Sequence, residues 1–230
     1  MKIHGFNKLT LLDYPEHLAA VLFLGGCNFR CPFCHNSGLV LAPEKEPVIT
    51  KEEIFQVLRK RKGILDGVCI TGGEPTLDPE LPDLLWEIKQ IGYATKLDTN
   101  GTKPELVKHL IADGLVDYVA MDIKNSLEKY PMTTGISQPD LEAICQMVEE
   151  LKKGTIEYEF RTTIVRELHG REDCIQIGKW LKGSRRYFLQ SYQESEQVIC
   201  PGFHSYSEEE CKEFQKLLLE YIPEVGLRGV

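Results

Sequence analysis

Three of the eight cysteines stand within eight residues, at Cys27, Cys31 and Cys34, in the run Gly25-Gly-Cys-Asn-Phe-Arg-Cys-Pro-Phe-Cys-His-Asn36. Thiolates at this spacing, on a loop whose backbone Gly25, Gly26 and Pro32 relax or fix, can face one inorganic centre. Two centres meet that description. Zinc favours four closed ligands, so His35 would complete the set, although neighbouring positions 34 and 35 seldom both reach one ion. An iron-sulfur cluster instead takes one cysteine per iron and, with three cysteines, leaves a fourth iron open to a substrate or cofactor. Further along, Ile70-Thr-Gly-Gly-Glu-Pro75 ends an apolar run with two glycines that let backbone groups approach a ligand. Glu74 adds a negative charge that suits a ligand ammonium.

Elements must hold these loops in place. Apolar or alternating runs that read as strands span Ala19 to Leu24, Gly67 to Thr71, Tyr93 to Asp98, Asp117 to Ile123, Ile156 to Val165 and Arg186 to Tyr192. Helical patterns lie between them. Thr50 and Glu53 form a capping box for a helix running to about Lys62, and Asp78-Pro79 opens the next, which Gly92 stops. Pro104 to Ala112, Pro139 to Lys153 and Arg171 to Lys182 follow, and Ser207-Glu-Glu-Glu210 caps a last helix before a short strand over Val225 to Gly229. Strands alternating with helices require a parallel sheet, since each crossover returns the chain to the same edge. Six units are fewer than the eight of a full barrel, so an open sheet and a partial barrel both satisfy the pattern.

The cysteine loop follows the first of these strands, and the Gly-Gly-Glu run ends the second. Together they resemble the radical S-adenosylmethionine (SAM) superfamily, whose CxxxCxΦC loop is matched by Cys27, Cys31 and Cys34 with Phe33 as its aromatic, and whose GGE motif is matched by Gly72, Gly73 and Glu74. Over the rest of the chain, from Leu9-Thr-Leu-Leu-Asp-Tyr-Pro15 through Cys31-Pro-Phe-Cys-His-Asn36 to Leu227-Arg-Gly229, the sequence is similar to the anaerobic ribonucleotide reductase activating proteins. The resemblance implies an α/β fold of the partial (β/α)6 barrel type with a C-terminal helix. One domain over residues 1–230 is expected, with the barrel at about 19–192 and the helix and short strand at about 207–229. It also implies a single [4Fe-4S] cluster on the three cysteines and SAM as the second cofactor.

Asp98-Thr-Asn-Gly101 and Asp122-Ile-Lys124 resemble sequences of the pyruvate formate-lyase activating enzymes. By that likeness Asp98, Thr99 and Asp122, with the Ala120 carbonyl, are expected to hold a monovalent cation beside the cofactor carboxylate, and Lys124 to face the cofactor or the substrate backbone. The strand Ile156 to Val165 alternates, which puts Glu157, Glu159, Arg161 and Thr163 on its polar face. Arg161 is expected to meet the cofactor carboxylate or a peptide carbonyl, and Gln190 and Tyr192 to end the sixth strand at the cofactor. Tyr192 stands where the pyruvate formate-lyase activators carry a histidine.

The activity this implies is activation of a glycyl-radical enzyme, an anaerobic ribonucleoside-triphosphate reductase, with a flavodoxin- or ferredoxin-type electron donor. Two other readings compete: a radical SAM enzyme that modifies a small molecule or matures another protein, and a non-catalytic zinc or iron-sulfur module. Ordinary turn capping at Asp98 and Asp122, and an ion pair of Arg161 with Glu157 or Glu159, are the plain alternatives at those positions. Cys69, Cys145 and Cys211 read as core fillers, Cys174 and Cys200 lack a second CxxC, and His35 reads as a loop hydrogen-bonder. The chain of 230 residues has 27 Lys plus Arg against 35 Asp plus Glu, a net charge of -8, which argues against nucleic acid or anionic membrane as partner. The longest apolar stretch, Leu18 to Gly26, is too short to span a bilayer and no signal-peptide pattern precedes it, so a cytoplasmic location is expected.

Overall fold

The computed structural model describes residues 1–195 and 198–230, which fall into two compact units. The first comprises Met1–Asn28, Asn36–Thr99 and Lys103–Ala120; the second comprises Phe29–His35, Asn100–Thr102 and Met121–Val230.

In the first unit β1 (Ile3–Thr10) pairs antiparallel with β2 (Ala19–Leu24). The short helix α1 (Ser37–Leu41) and the helix α2 (Lys51–Lys60) then lead to β3 (Gly67–Gly72), which lies parallel to β2 with Ala19 opposite Gly67 and Leu24 opposite Gly72. After α3 (Leu81–Ile91), β4 (Ala94–Thr99) adds parallel to β3 with Ile70 opposite Leu97. The helix α4 (Pro104–Ala112) precedes β5 (Tyr118–Asp122), whose last two residues belong to the second unit. The register sets the carboxyl ends of β2, β3 and β4 side by side, and the loops that leave them carry Cys27, Glu74 and Asn100.

The second unit continues through α5 (Tyr130–Thr134), α6 (Leu141–Lys152) and β6 (Glu157–Ile164). Beyond α7 (Arg171–Trp180), β7 (Arg186–Ser191) is parallel to β6, and after α8 (Glu208–Leu218) the strand β8 (Glu224–Arg228) is parallel to β7. Gln190 lies opposite Arg228.

The six strands expected from the sequence are β2 to β7, shifted by at most a residue at either end, and the α/β class with parallel strands is the one observed. Burial explains their legibility: Ala19, Ala20, Val21 and Leu22 are fully buried, so β2 reads as a continuous apolar run. The capping box at Thr50 is present, with the Thr50 hydroxyl accepting from the Glu53 amide at 3.2 Å, and so is the one at Ser207. Several boundaries differ. The third helix begins at Leu81 and not at Asp78, because Asp78 Oδ1 accepts from the Glu80 amide in the turn before it. The sixth begins at Leu141 because Asp140 caps the Ala143 amide. The second stops at Lys60 and the seventh at Trp180, each about two residues short of the expected end. The strand β1 and the helices α1 and α5 are additions to the elements that periodicity shows.

Candidate functional site

The end of β3 in the first unit is built around Glu74, which is 2% exposed. Its Oε1 accepts from the Thr76 amide at 3.1 Å, from the Thr76 hydroxyl at 2.5 Å and from the Thr99 hydroxyl at 2.8 Å. Three donors on one oxygen favour the ionised carboxylate and fix its direction. The two glycines before it are also required by the chain's own packing. A Cβ on Gly72, whose φ is 116°, would stand 2.4 Å from the Leu24 carbonyl oxygen, and one on Gly73 would stand 2.0 Å from that of Gly26. These glycines admit the neighbouring backbone: the Gly73 amide donates to the Leu24 carbonyl and the Glu74 amide to that of Gly26, both at 2.8 Å. Asn36 adds a hydrogen bond from Nδ2 to the Gly72 carbonyl at 2.7 Å. The end of β3 is thereby fixed to the segment that leads into Cys27. Nothing stands within 4 Å of a Cβ placed on Gly26, so the space beside that residue is open.

On β4 the Asp98 carboxylate is paired with the ammonium of Lys96, which is 1% exposed. Cys69 lies at the same group, its Sγ donating to Asp98 Oδ1 at 3.7 Å and accepting from Lys96 Nζ at 3.8 Å. Cys69 is therefore buried as expected, yet among polar groups.

In the second unit the cysteine loop is fastened on three sides. The Arg30 amide donates to the Thr134 carbonyl, the Cys200 amide donates to the Pro32 carbonyl, both at 2.8 Å, and His35 Nε2 meets the Gln193 carbonyl at 2.6 Å. A Cβ on Gly135 would stand 2.2 Å from the Arg30 carbonyl oxygen, so a glycine is needed where α5 ends against the loop. His35 is thus a loop hydrogen-bonder, as its sequence position suggested. Phe33 is buried with its ring edge-on to His169, Tyr192 and Phe203, at centroid distances of 6.5, 6.4 and 6.5 Å. The Cys34 amide donates to the Cys31 carbonyl at 3.0 Å, a turn that sets these two thiols on one short bend.

Asp122 stands at the centre of the charges in this unit. Arg161 Nε donates to its Oδ1 at 2.6 Å and Lys124 Nζ to its Oδ2 at 2.8 Å. Burial alone would raise the Asp122 pKa, but Arg161 and Lys124 hold it well below the usual carboxylate range. Burial likewise lowers the Lys124 pKa, and Asp122 together with Cys31 and Cys34 more than offsets this, so the ammonium is held above its ordinary value. Lys124 is also gripped by its backbone: its amide donates to the Tyr130 hydroxyl at 3.1 Å and its carbonyl meets His169 Nε2 at 2.8 Å. His169 Nδ1 accepts from the Val165 amide at 3.1 Å, which assigns the neutral Nε2-H tautomer.

Arg161 pairs with Asp122, its Nε lying 2.6 Å from Oδ1. Glu159 is fully buried and takes a two-pronged contact from Arg228 at 2.6 and 2.8 Å, while Arg228 stacks 3.6 Å above the Phe188 ring. Gln190 is half-buried on β7, and Tyr192 just after it is buried and stacked on His35 at 5.2 Å. The residues the sequence did not single out are Lys96, Thr76, Tyr130 and His169. Only Lys96 left a signal there, a charged residue inside an apolar strand.

No disulfide joins any of the eight cysteines among the described residues. Three thiols in a CxxxCxxC loop are a donor set that fits an iron-sulfur cluster. Among the described residues no group of three His, Cys, Asp or Glu side chains is set to hold a single metal ion. The buried, oriented Glu74 carboxylate fits a ligand ammonium. No helix among the described residues is long and apolar enough to cross a membrane.

Residues 21–172 match the model of the radical SAM superfamily. A protein of Methanocaldococcus jannaschii with the provisional name glycyl-radical enzyme activating enzyme is 33% identical over 239 positions, covering 99% of this chain and 96% of its own. The pyruvate formate-lyase-activating enzyme of Clostridium pasteurianum is 33% identical over 161 positions, 65% of this chain and 64% of its own. Among solved structures, SuiB of Streptococcus suis bound to SAM superposes with a TM-score of 0.69 at 16% identity, over 91% of this chain and 52% of that one. Archaeal TYW1 does so with a TM-score of 0.60 at 17% identity, over 89% and 72%. These two likenesses show the fold. Fold, motif and full-length similarity agree, and the chain belongs to the radical SAM superfamily of [4Fe-4S]- and SAM-dependent enzymes, among relatives of the glycyl-radical enzyme activases.

Proposed function

We propose that this protein activates a glycyl-radical enzyme, an anaerobic ribonucleoside-triphosphate reductase, by removing hydrogen from the alpha carbon of one of its glycines. The observation that supports activation most is the 33% identity, over 99% of the chain, to the M. jannaschii relative. The choice of reductase rests on the similarity of the stretches Leu9 to Pro15, Cys31 to Asn36 and Leu227 to Gly229 to that group of activating proteins. The cluster and SAM, when bound, would supply a 5'-deoxyadenosyl radical, with methionine as the other product of one-electron reduction of SAM. The electron comes from a flavodoxin- or ferredoxin-type donor.

The chain's own residues bind, orient and exclude water. Cys27, Cys31 and Cys34 would hold the cluster. Glu74 binds the SAM ammonium, and Thr76 and Thr99 keep its carboxylate ionised and aimed. Lys124 and Arg161 supply positive charge for the SAM carboxylate, with Asp122 between them setting both directions. Phe33, Gln190 and Tyr192 form the adenosyl side, with Gly72 and Gly73 fixing the loop that carries Glu74. Eight cysteines without a disulfide among the described residues suit a reducing, cytoplasmic compartment.

The test mixes anaerobically reconstituted protein, reductant, SAM and the reductase and looks for a glycyl-radical doublet by electron paramagnetic resonance. A doublet is expected. Release of 5'-deoxyadenosine without a doublet would refute the reductase assignment and favour a radical SAM enzyme acting on another substrate. Replacing Cys27, Cys31 or Cys34 by Ala is expected to remove the cluster's visible absorption and SAM cleavage together, and retained cleavage overturns the ligand assignment.

A further inference from the structure

The resemblance implied a monovalent cation on Asp98, Thr99 and Asp122, and the structure places different charges there. Lys96 lies two residues before Asp98 on β4, hence on the same face of the strand. Its ammonium is paired with Asp98 Oδ1, lies 3.8 Å from Cys69 Sγ and stands 6.0 Å from the centroid of the Tyr118 ring. At 1% exposure it is buried. The Thr99 hydroxyl is directed to Glu74, and in the second unit Asp122 is held between Lys124 and Arg161. Both carboxylates therefore meet cations that the chain itself supplies. A lysine this deeply buried is costly to desolvate without a charged partner, and the mutual attraction with Asp98 is what offsets that cost.

We infer that the Lys96 ammonium takes the place of the monovalent cation at Asp98, acting as a built-in counter-ion at the end of β4. It is a positioning residue. With Asp98 neutralised, the end of β4 keeps the conformation that presents Thr99, and Thr99 in turn holds the Glu74 carboxylate that receives the SAM ammonium. The inference rests on the reading that SAM binds at Glu74. Its consequence is that SAM binding by this protein requires no added sodium or potassium.

The test measures SAM affinity of the reconstituted holoprotein by isothermal titration in potassium, sodium and tetramethylammonium chloride at one ionic strength. Wild-type affinity is expected to agree within about twofold across the three salts, since no buried charge is left without its partner. Lys96→Met keeps the bulk and removes the charge, and is expected to bind SAM about tenfold more weakly in tetramethylammonium and to recover with potassium or sodium. Its thermal unfolding midpoint, read without SAM, should rise with the same two ions and not in the wild type. A wild-type affinity or midpoint that climbs on adding potassium or sodium overturns the inference, as does a Lys96→Met protein indistinguishable from wild type. If that variant does not fold, the wild-type salt comparison still decides. Absence of SAM binding by the wild type in all three salts instead removes the underlying functional reading.

Discussion

Glu74 is oriented by donors that are themselves short and fixed, two from Thr76 and one from Thr99, so its carboxylate has little freedom to lose when a cation arrives. Glu74→Gln keeps the size and an acceptor oxygen but removes the charge. It is expected to weaken SAM binding about 30-fold, about 2 kcal/mol, while the cluster's absorption is unchanged. Affinity equal to wild type in titration would exclude Glu74 as the ammonium's partner. At His169 the expected effect is on pH dependence. Burial lowers its pKa below the ordinary 6.5, so on acidification through 6.5 the unfolded chain takes up a proton that the folded one refuses, and stability falls. The His204 imidazole beside Glu167 is shifted upwards, so its contribution is already complete below 6.5, and that of Asp122, held low, is lost only in stronger acid. His169 thus makes stability fall as the pH drops below 6.5, and His169→Gln, which retains a donor and an acceptor, should lessen that fall. At this scale the sequence disclosed the residues whose spacing is local, the three cysteines and Gly72-Gly73-Glu74. It could not disclose pairs made by distant strands: Glu159 with Arg228, or His169 with the Lys124 carbonyl, are adjacent only after folding.

Elements show a similar division between local and distant causes. The strands β2 to β7 were legible because burial imposes apolar runs or alternation on them. By contrast β1 has Gly5, Asn7 and three exposed residues within it and two irregularities in its pairing with β2, so its pattern does not repeat. The helices α1 and α5 have five residues each, too few for a 3.6-residue period to recur. Where a helix begins depends on which side chain caps it, and α7 is instructive. Gly170 precedes it and has no capping side chain, so Asp173 in its first turn does the work: Oδ2 accepts from the Gly170 amide at 2.8 Å and from Lys129 Nζ at 2.6 Å, and Oδ1 from the Ser126 hydroxyl at 3.2 Å. One buried carboxylate fixes both the start of α7 and the turn before α5. Asp173→Ala is expected to cost about 2–3 kcal/mol in urea unfolding, against about 1 kcal/mol for the exposed cap removed by Thr50→Ala. Asp173→Asn should recover part of the loss, and equal midpoints for Asp173→Ala and wild type would show that α7 starts without it.

At the scale of the whole molecule, the region matched by the superfamily model ends at residue 172, before β7, α8 and β8, while the M. jannaschii relative matches nearly the full length. What the additional elements contribute can be read in the second unit. Cys211, Phe214 and Leu218 of α8, with Ile222 and Val225 after it, are buried, and a Cβ on Gly178 of α7 would stand 2.5 Å from the Tyr221 ring. The strand β8 is held by Gln215, which donates to the Val225 carbonyl at 2.6 Å, and its Arg228 is the partner of the fully buried Glu159. Five such side chains at about 1.5–2 kcal/mol each give about 8–10 kcal/mol as an upper estimate, comparable to the whole stability of a typical domain. Removing residues 207–230 also leaves Glu159 as a buried charge without Arg228, an additional cost of about 3 kcal/mol that Arg228→Ala alone should reproduce. The truncated chain is therefore expected to lose hydrogen-exchange protection at the amides of β6 and β7, and Arg228→Ala to lose it in part. Full protection of β6 in the truncated chain would mean that the C-terminal elements merely cover the second unit. Loss of protection would make them the reason its charged strand face, with Arg161 on it, holds its shape.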